Sequence, residues 1–183
     1  MSPDGRLGYG TRVIRATSLA FLLLLTVSLP ALASEELVPA ELGGAPAEVV
    51  AFDGPALLAS LDPSDDVDAD RIAGLESLLA VTGRPVDALS VAAAYPAEGT
   101  AGGWVAAIRL TWVDPAVLRA LVLAGIREDL DSPVQEDATI AGRSAVYIVG
   151  AGGPPLALYG SGDTVWLLGG TASEVAAILE QLP

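Results

Sequence analysis

The chain has 183 residues with nine basic and 23 acidic side chains, and it contains no His, no Cys, no Lys and one Met, at position 1. It therefore lacks the usual ligands of zinc, copper, haem and iron–sulfur centres, and we expect no cofactor of these kinds. The same absences exclude Ser-His-Asp, Cys-His and Ser-Lys catalytic groups, as well as Schiff-base and P-loop lysines. Only carboxylate, hydroxyl and guanidinium chemistry remains, so we expect a protein that is not an enzyme.

The N-terminal residues 1–33 have the three-part layout of a secretory signal peptide. Three arginines precede an uncharged apolar run of eleven residues, which is too short for an ordinary membrane helix and is followed by Pro30. Ala31, Ala33 and Ser34 then form the small-residue pattern at which signal peptidase cuts. We expect a protein that is secreted or held in the cell envelope, with no stable membrane insertion after cleavage. An uncleaved anchor is the alternative.

Cleavage after Ala33 would leave 150 residues, the usual size of one domain. We divide the chain into a signal peptide at 1–33, a polar leader at 34–46 and a single domain at 47–183. The signal peptide contains three of the nine basic residues and one of the 23 acidic ones, so six basic and 22 acidic residues remain, with a net charge of −16. Such a chain is repelled by phosphate backbones, and we expect no nucleic-acid partner.

Hydrophobic periodicity and turn residues predict the secondary structure along this domain. Asp114 before Pro115 is typical of a helix N-cap followed by proline, and Thr171 with Glu174 matches a capping box. The predicted elements are a strand at 48–52, a helical turn at 57–61, a helix at 70–82, strands at 89–95 and 104–113, a helix after Asp114, strands at 134–140, 144–149, 156–159 and 164–168, and a helix after Thr171.

Hairpins dominate this order of elements, which favours a mainly antiparallel sheet with helices packed on it. The fold class that we predict is α+β, as a two-layer sandwich. The opening strand-helix-strand-strand-helix-strand order suits a ferredoxin-like arrangement with an added ββα unit. The composition, rich in Ala, Gly, Asp and Arg and free of Lys, is typical of exported proteins from GC-rich bacteria.

One acidic stretch, 62–70, holds a candidate metal site. Asp66, Asp68 and Asp70 have the alternate spacing that begins an EF-hand-type calcium loop. The pattern then departs from that loop, because Arg71 stands where glycine is needed. The alternative interpretation is an acidic helix N-terminus, in which the carboxylates cap free N–H groups and oppose the helix dipole.

The three tryptophans also allow two interpretations. Trp104 and Trp112 alternate with Ile108 and Leu110 on one face of the predicted strand 104–113, which predicts that they pack in the core. Exposed indole rings would instead be typical of a surface that stacks on sugar rings. Core packing is the interpretation that the spacing favours.

Several predicted strands are apolar on both faces, whereas an antiparallel sheet with one solvated face alternates apolar and polar residues. Either the helices divide between both faces, or one apolar face is an interface for a homodimer or a protein partner, or it lines a ligand cleft. We favour a non-catalytic exported protein that acts by binding or self-association. A carboxylate-dependent hydrolase acting on glycans and a calcium-stabilised surface module are the alternatives.

Overall fold

The computed structural model describes residues 37–98, 100, 102–129, 133–149 and 155–183, and the signal-peptide residues, with Ala31, Ala33 and Ser34, lie outside the described residues. The described part of the chain forms eight strands and four helices, besides a short 3₁₀ helix at Val86–Ala88. The strands are β1 Glu41–Leu42, β2 Ala45–Asp53, β3 Leu89–Pro96, β4 Trp104–Leu110, β5 Val134–Ile140, β6 Arg143–Val149, β7 Leu156–Ser161 and β8 Thr164–Gly169. The helices are α1 Gly54–Ser60, α2 Asp66–Thr82, α3 Pro115–Asp129 and α4 Ala172–Gln181. Within these residues, none of the helices has the length and apolar character that crossing a membrane requires.

All eight strands belong to one sheet in the order β1-β2-β3-β4-β8-β7-β6-β5, and every neighbouring pair is antiparallel. The sheet therefore consists of two four-stranded meanders that join where β4 pairs with β8. The predicted α+β class with an antiparallel sheet is confirmed. The ferredoxin-like arrangement is not confirmed, since such a fold splits the strands around its first helix, whereas β2 and β3 are direct neighbours here.

The first face of the sheet packs against α1, α2 and α3. Alternate strand residues point to this face, so Val91 in β3, Ile108 in β4 and Leu167 in β8 share a core with helical side chains such as Leu75 and Leu118. Each of these five side chains is buried. This larger core explains why β3, β4 and β8 need apolar residues at every second position.

The second face is covered by α4 and by residues 37–42. Ala107 of β4 and Trp166 of β8 pack there against Leu37, Ile178 and Leu179. Helices therefore lie on both faces instead of one, which accounts for strands that are apolar on both sides. Other parts of the chain therefore cover both apolar faces of the sheet. A homodimer or partner contact through one of these faces stays a prediction, and the described residues leave neither face uncovered for it.

The predicted polar leader at 34–46 is integrated into the domain over its described part. Leu37, Val38 and Leu42 are buried against the second face, and Ala45 and Pro46 already belong to β2. Composition does not reveal these contacts, because three apolar side chains among Glu, Pro and Gly do not form a periodic pattern. They find their core only through the tertiary fold.

Helix N-termini follow the residues that cap them. Asp65 accepts hydrogen bonds from the backbone N–H groups of Val67 and Asp68, so α2 begins at Asp66, four residues before the predicted start. The capping box at Thr171 and Glu174 is confirmed. These caps satisfy N–H groups that have no partner inside the helix.

Candidate functional site

The acidic stretch 62–70 is organised around the start of α2. The side chain of Asp68 accepts from the backbone N–H of Asp62 at 3.0 Å and from the Arg71 guanidinium at 2.6 Å. Ser64 donates to Asp62 through its hydroxyl at 2.6 Å and its backbone N–H at 2.8 Å, and these bonds lower the pKa of Asp62 below its ordinary value. These carboxylates thus accept hydrogen bonds within the turn and the first turn of α2.

Of the three candidate metal ligands, Asp66 is exposed, whereas Asp68 and Asp70 are partly buried. The side chain of Asp68 is already engaged by Asp62 and Arg71. Within the described ranges, no three acidic side chains converge as a metal site requires. The calcium site at Asp66, Asp68 and Asp70 stays a prediction, and the geometry adds no support to it.

Two of the three tryptophans are structural. Trp166 is 2% exposed, donates its indole N–H to the carbonyl of Leu37 at 2.7 Å and stacks on Tyr159 with ring centroids 5.5 Å apart. Trp104 is partly buried against the first core. Its ring lies over Gly169, where an added Cβ would come within 2.4 Å of the indole. Glycine at 169 is required by that close approach.

Trp112 is different, and the core position that we predicted for it is wrong. Strand β4 ends at Leu110, and Trp112 lies in the following turn with its side chain 78% exposed. The turn is imposed by its neighbours, because the N–H of Val113 donates to the Leu110 carbonyl and Asp114 must reach the start of α3. The alternation of the strand therefore stops two residues before Trp112.

The backbone of Trp112 is strained and held in place. Its φ is +69°, in the left-handed region that bulky residues rarely occupy at a cost of roughly 1–2 kcal/mol. The guanidinium of Arg84 donates to the Trp112 carbonyl at 2.6 Å, and the N–H of Thr111 donates to the carbonyl of Ala88 at 3.0 Å. A large aromatic ring is thus displayed on a turn that is fixed on both sides.

Two other exposed apolar side chains lie in α2 and α3. Val81, 67% exposed, is three residues before Arg84 at the end of α2, and Val117, 49% exposed, is in the first turn of α3. We call the exposed indole of Trp112 and its turn, residues 111–113, the Trp112 surface. Backbone strain at an exposed aromatic residue is an arrangement found at binding sites, where the strain persists because the site uses it.

A second feature is a cleft of about 340 Å³ between α3 and the edge strand β5. Ala116, Ala120 and Leu123 line it from α3, and Gln135 and Asp137 line it from β5. Sequence reasoning missed this cleft as well as the Trp112 surface. The sequence does contain a signal for each. For the cleft, the polar run at 135–137 is typical of an edge strand. For the Trp112 surface, the N-cap at Asp114 requires a turn before it.

A carboxylate-dependent hydrolase stays a prediction, and the described carboxylates add no support to it. Every Asp and Glu side chain whose burial is described is at least partly exposed. The side chain of Glu174 accepts hydrogen bonds from the backbone N–H and the hydroxyl of Thr171, and these lower its pKa. A general acid needs the opposite shift, toward a raised pKa.

The hydroxyl of Tyr95 is buried and has no hydrogen-bond partner among the described residues. Burial raises the pKa of Tyr95 to about 12, so the phenol stays neutral at physiological pH. Tyr95 packs against Ala93 and Ala106, which are also buried. It is therefore a core side chain with an unsatisfied polar end.

Comparison of the chain with family models, curated proteins and solved structures finds no significant match, so its functional assignment rests on its own residues and geometry.

Proposed function

We propose that this chain is an exported, non-catalytic protein that acts outside the cytoplasm by binding a partner protein through the Trp112 surface. Three observations support the proposal. The N-terminal residues have the pattern of a signal peptide, the chain lacks the residue types of most catalytic centres, and Trp112 is displayed on a strained turn.

The observation that carries the proposal is the combination of exposure and rigidity at Trp112. A tryptophan that becomes buried at an interface is a frequent hot spot, and its removal typically costs about 2 kcal/mol or more of binding free energy. The turn is already ordered by Arg84, so docking there loses little backbone freedom. A bulky residue with a strained backbone and an exposed ring stabilises the folded protein less than Asn or Gly would at the same position. Its presence therefore favours a role in binding.

A different protein is a better partner than a second copy. Two exported chains would each carry a net charge of −16, and their mutual repulsion opposes self-association. A neutral or basic partner surface would not meet this barrier. The binding test below distinguishes such a partner from two other candidates, a second copy of this chain and a glycan that stacks on the indole.

Export is tested by expressing the full chain in bacteria and sequencing the N-terminus of the product outside the cytoplasm. We expect the mature protein to begin at Ser34, since Ala31 and Ala33 satisfy the cleavage pattern. Replacing Ala33 with Glu should block processing. An intact chain that stays in the cytoplasmic fraction would contradict the export part of the proposal.

Binding is tested by placing a photo-crosslinking amino acid at position 112 in cells that naturally produce the protein. Position 76 serves as the control, because Glu76 is exposed on α2. We expect a discrete crosslinked protein at 112 only, and the purified partner should bind Trp112→Asn at least tenfold more weakly than wild type or Glu76→Gln. Crosslinks only to a second copy or to glycan, or equal binding by Trp112→Asn, would overturn the proposal.

A further inference from the structure

We propose that the outer edge of β5, together with the adjoining cleft under α3, is a second binding site that accepts an extended, basic segment of another protein as a ninth strand. The site is separate from the Trp112 surface and does not depend on it. Its parts are an open strand edge, a side-chain cleft beside that edge and two adjacent carboxylates on the edge strand, in a chain that is acidic as a whole.

The open edge follows from the sheet order. Strand β5 is terminal and pairs only with β6 among the strands of the described residues. Ala141 and Gly142 both have positive φ, at 50° and 76°, and form the two-residue turn between Ile140 and Arg143. Such a turn is closed by a hydrogen-bonded residue pair.

The outward groups of β5 follow from this closing pair, because hydrogen-bonded and non-hydrogen-bonded positions alternate along an antiparallel strand. Ile140 points its backbone groups at Arg143, so Gln135, Asp137 and Thr139 point theirs away from β6. Three N–H and three C=O groups therefore face the open edge over about 14 Å, at the spacing of an extended chain. No proline, bulge or described residue blocks this edge.

The cleft lies on the same side as these outward residues. Gln135 pairs with Ile148 and Asp137 with Val146, and both partners belong to the core under α3, so the side chains of Gln135 and Asp137 face α3. On α3, Ala116 and Ala120 present only methyl groups to the cleft, which leaves its volume of about 340 Å³. A strand added to β5 would send every second side chain into this space.

The polar groups of the cleft differ in what they bond to. Arg127 donates to the side-chain oxygen of Gln135, while the amide nitrogen of Gln135 is buried and donates to no described atom. Arg119 and Asp137 both line the cleft, yet no ion pair joins them. The exposed carboxylate of Asp137 beside an open backbone edge is a group that an incoming polar side chain can reach, while the backbone of the same segment pairs with the edge.

Charge decides which segment fits. Glu136 and Asp137 stand at the centre of the edge, with Arg119 and Arg127 on the α3 side of the cleft, in a chain with a net charge of −14. Two copies paired edge to edge about Asp137 would place that carboxylate opposite itself, which is destabilising. Lys or Arg side chains of a partner strand would instead lie beside Asp137 or Glu136, both of which line the cleft. The fitting ligand is therefore an extended segment with basic side chains.

The test uses fluorescent seven-residue peptides of alternating Thr and Arg, with a Thr and Glu peptide as the charge control, titrated into the exported protein. We expect the Arg peptide to bind at least tenfold more tightly than the Glu peptide. Two Arg peptides with N-methyl groups on alternate residues make the decisive comparison. Only one set of alternate N–H groups faces β5 in a paired strand, so one methylated peptide should lose binding and the other should keep it.

Matched protein variants locate the site. Ala120→Gln fills the cleft, whereas Ala124→Gln places the same side chain at an exposed position of α3 that does not line it. We expect at least a tenfold loss with Ala120→Gln, no change with Ala124→Gln and no change with Trp112→Asn. No binding of the Arg peptide, equal loss with both methylated peptides, or a dimer that Ala120→Gln dissociates would overturn the inference. Because Trp112→Asn is a separate variant, either proposal can fail while the other stands.

Discussion

Trp112 is the residue whose backbone and side chain make conflicting demands. The left-handed backbone at φ +69° suits Asn or Gly, while a bulky residue there costs roughly 1–2 kcal/mol. Its ring is 78% exposed and so gains little from burial. Stability alone would not select tryptophan at this position. We therefore propose that the ring binds a partner.

Replacing Trp112 with Asn should therefore stabilise the protein. We expect the free energy of unfolding to rise by about 1 kcal/mol in denaturant titrations, because Asn tolerates the left-handed region. Trp112→Ala keeps a β-carbon in the same strained backbone and serves as the control, with a change within about 0.5 kcal/mol. A clear loss of stability in the Asn variant would mean that the ring packs on the protein after all.

Tyr95 offers a second test at a single residue. Its hydroxyl is buried without a described partner, so Tyr95→Phe should raise the free energy of unfolding by about 1 kcal/mol at neutral pH. The pKa of Tyr95 is about 12 in the folded chain and 10 ordinarily, so the folded state holds the phenol proton more tightly. The resulting stability is fully present below pH 10 and is lost as the pH rises toward 12.

Denaturant titrations between pH 8 and pH 12 measure this dependence. We expect wild type to lose stability more steeply than Tyr95→Phe above pH 10, so that the two curves diverge with rising pH. Parallel curves would show that Tyr95 ionises with its ordinary pKa and that its hydroxyl reaches solvent.

At the scale of elements, α4 depends on its first turn. Thr171 and Glu174 exchange hydrogen bonds there, and the lowered pKa of Glu174 ties this cap to pH. A lowered folded-state pKa gives stability that is present above the ordinary value of 4.5 and is lost as the pH falls through the folded value. Because α4 covers the second face, its cap also secures that core.

We expect Glu174→Gln to unfold at a lower denaturant concentration than wild type at pH 7, with the difference shrinking as the pH falls below 4.5. Glu180→Gln, an exposed change at the other end of α4, is the control and should show no such convergence. A Glu174→Gln difference that is the same at pH 3 and pH 7 would exclude a carboxylate role in the cap.

At the scale of the whole molecule, the acidic surplus opposes the folded state. Six basic and 22 acidic side chains lie beyond residue 33, and the described part of the chain has its ion pair at Arg71 and Asp68. Most of the negative charge is therefore compensated only by solvent ions. Repulsion of this kind weakens when salt shortens its range.

The melting temperature should accordingly rise when NaCl is increased from ~10 mM to ~0.5 M, over which the screening length falls to a few ångströms. Sucrose at matched osmolality separates charge screening from general solute effects. A melting temperature that is unchanged or lowered by salt would show that favourable ion pairs outweigh repulsion in the folded state.

The second face is tied together at its margin by long-range polar contacts. Arg143 donates to the carbonyls of Leu182 and Pro183, each at 2.6 Å, and to the hydroxyl of Tyr159 at 2.9 Å. Tyr159 in turn stacks on Trp166, whose indole N–H reaches Leu37. Residues from the two ends of the described chain thus meet on one side of the sheet.

The amino-acid sequence alone determined the features that depend on neighbours along the chain. The periodic stripe and capping box of α4, the N-cap at Asp114 and the strand 134–140 are local patterns, and the structure confirms them. Antiparallel pairing was equally accessible, because short turns between strands leave little other choice. The buried Leu37 and Leu42 escaped prediction, since no local period marks them.

Tertiary structure decided the rest. The pairing of β4 with β8 joins segments that are distant in the chain, and it leaves β5 at an open edge and gives the second face to α4. Trp112 matched a strand pattern, yet the turn into α3 took it out of the sheet and into solvent. Both candidate sites are exposed because no other element of the described chain covers them. Which elements cover a residue depends on contacts between segments that are distant in the chain, so only the complete fold determines its exposure.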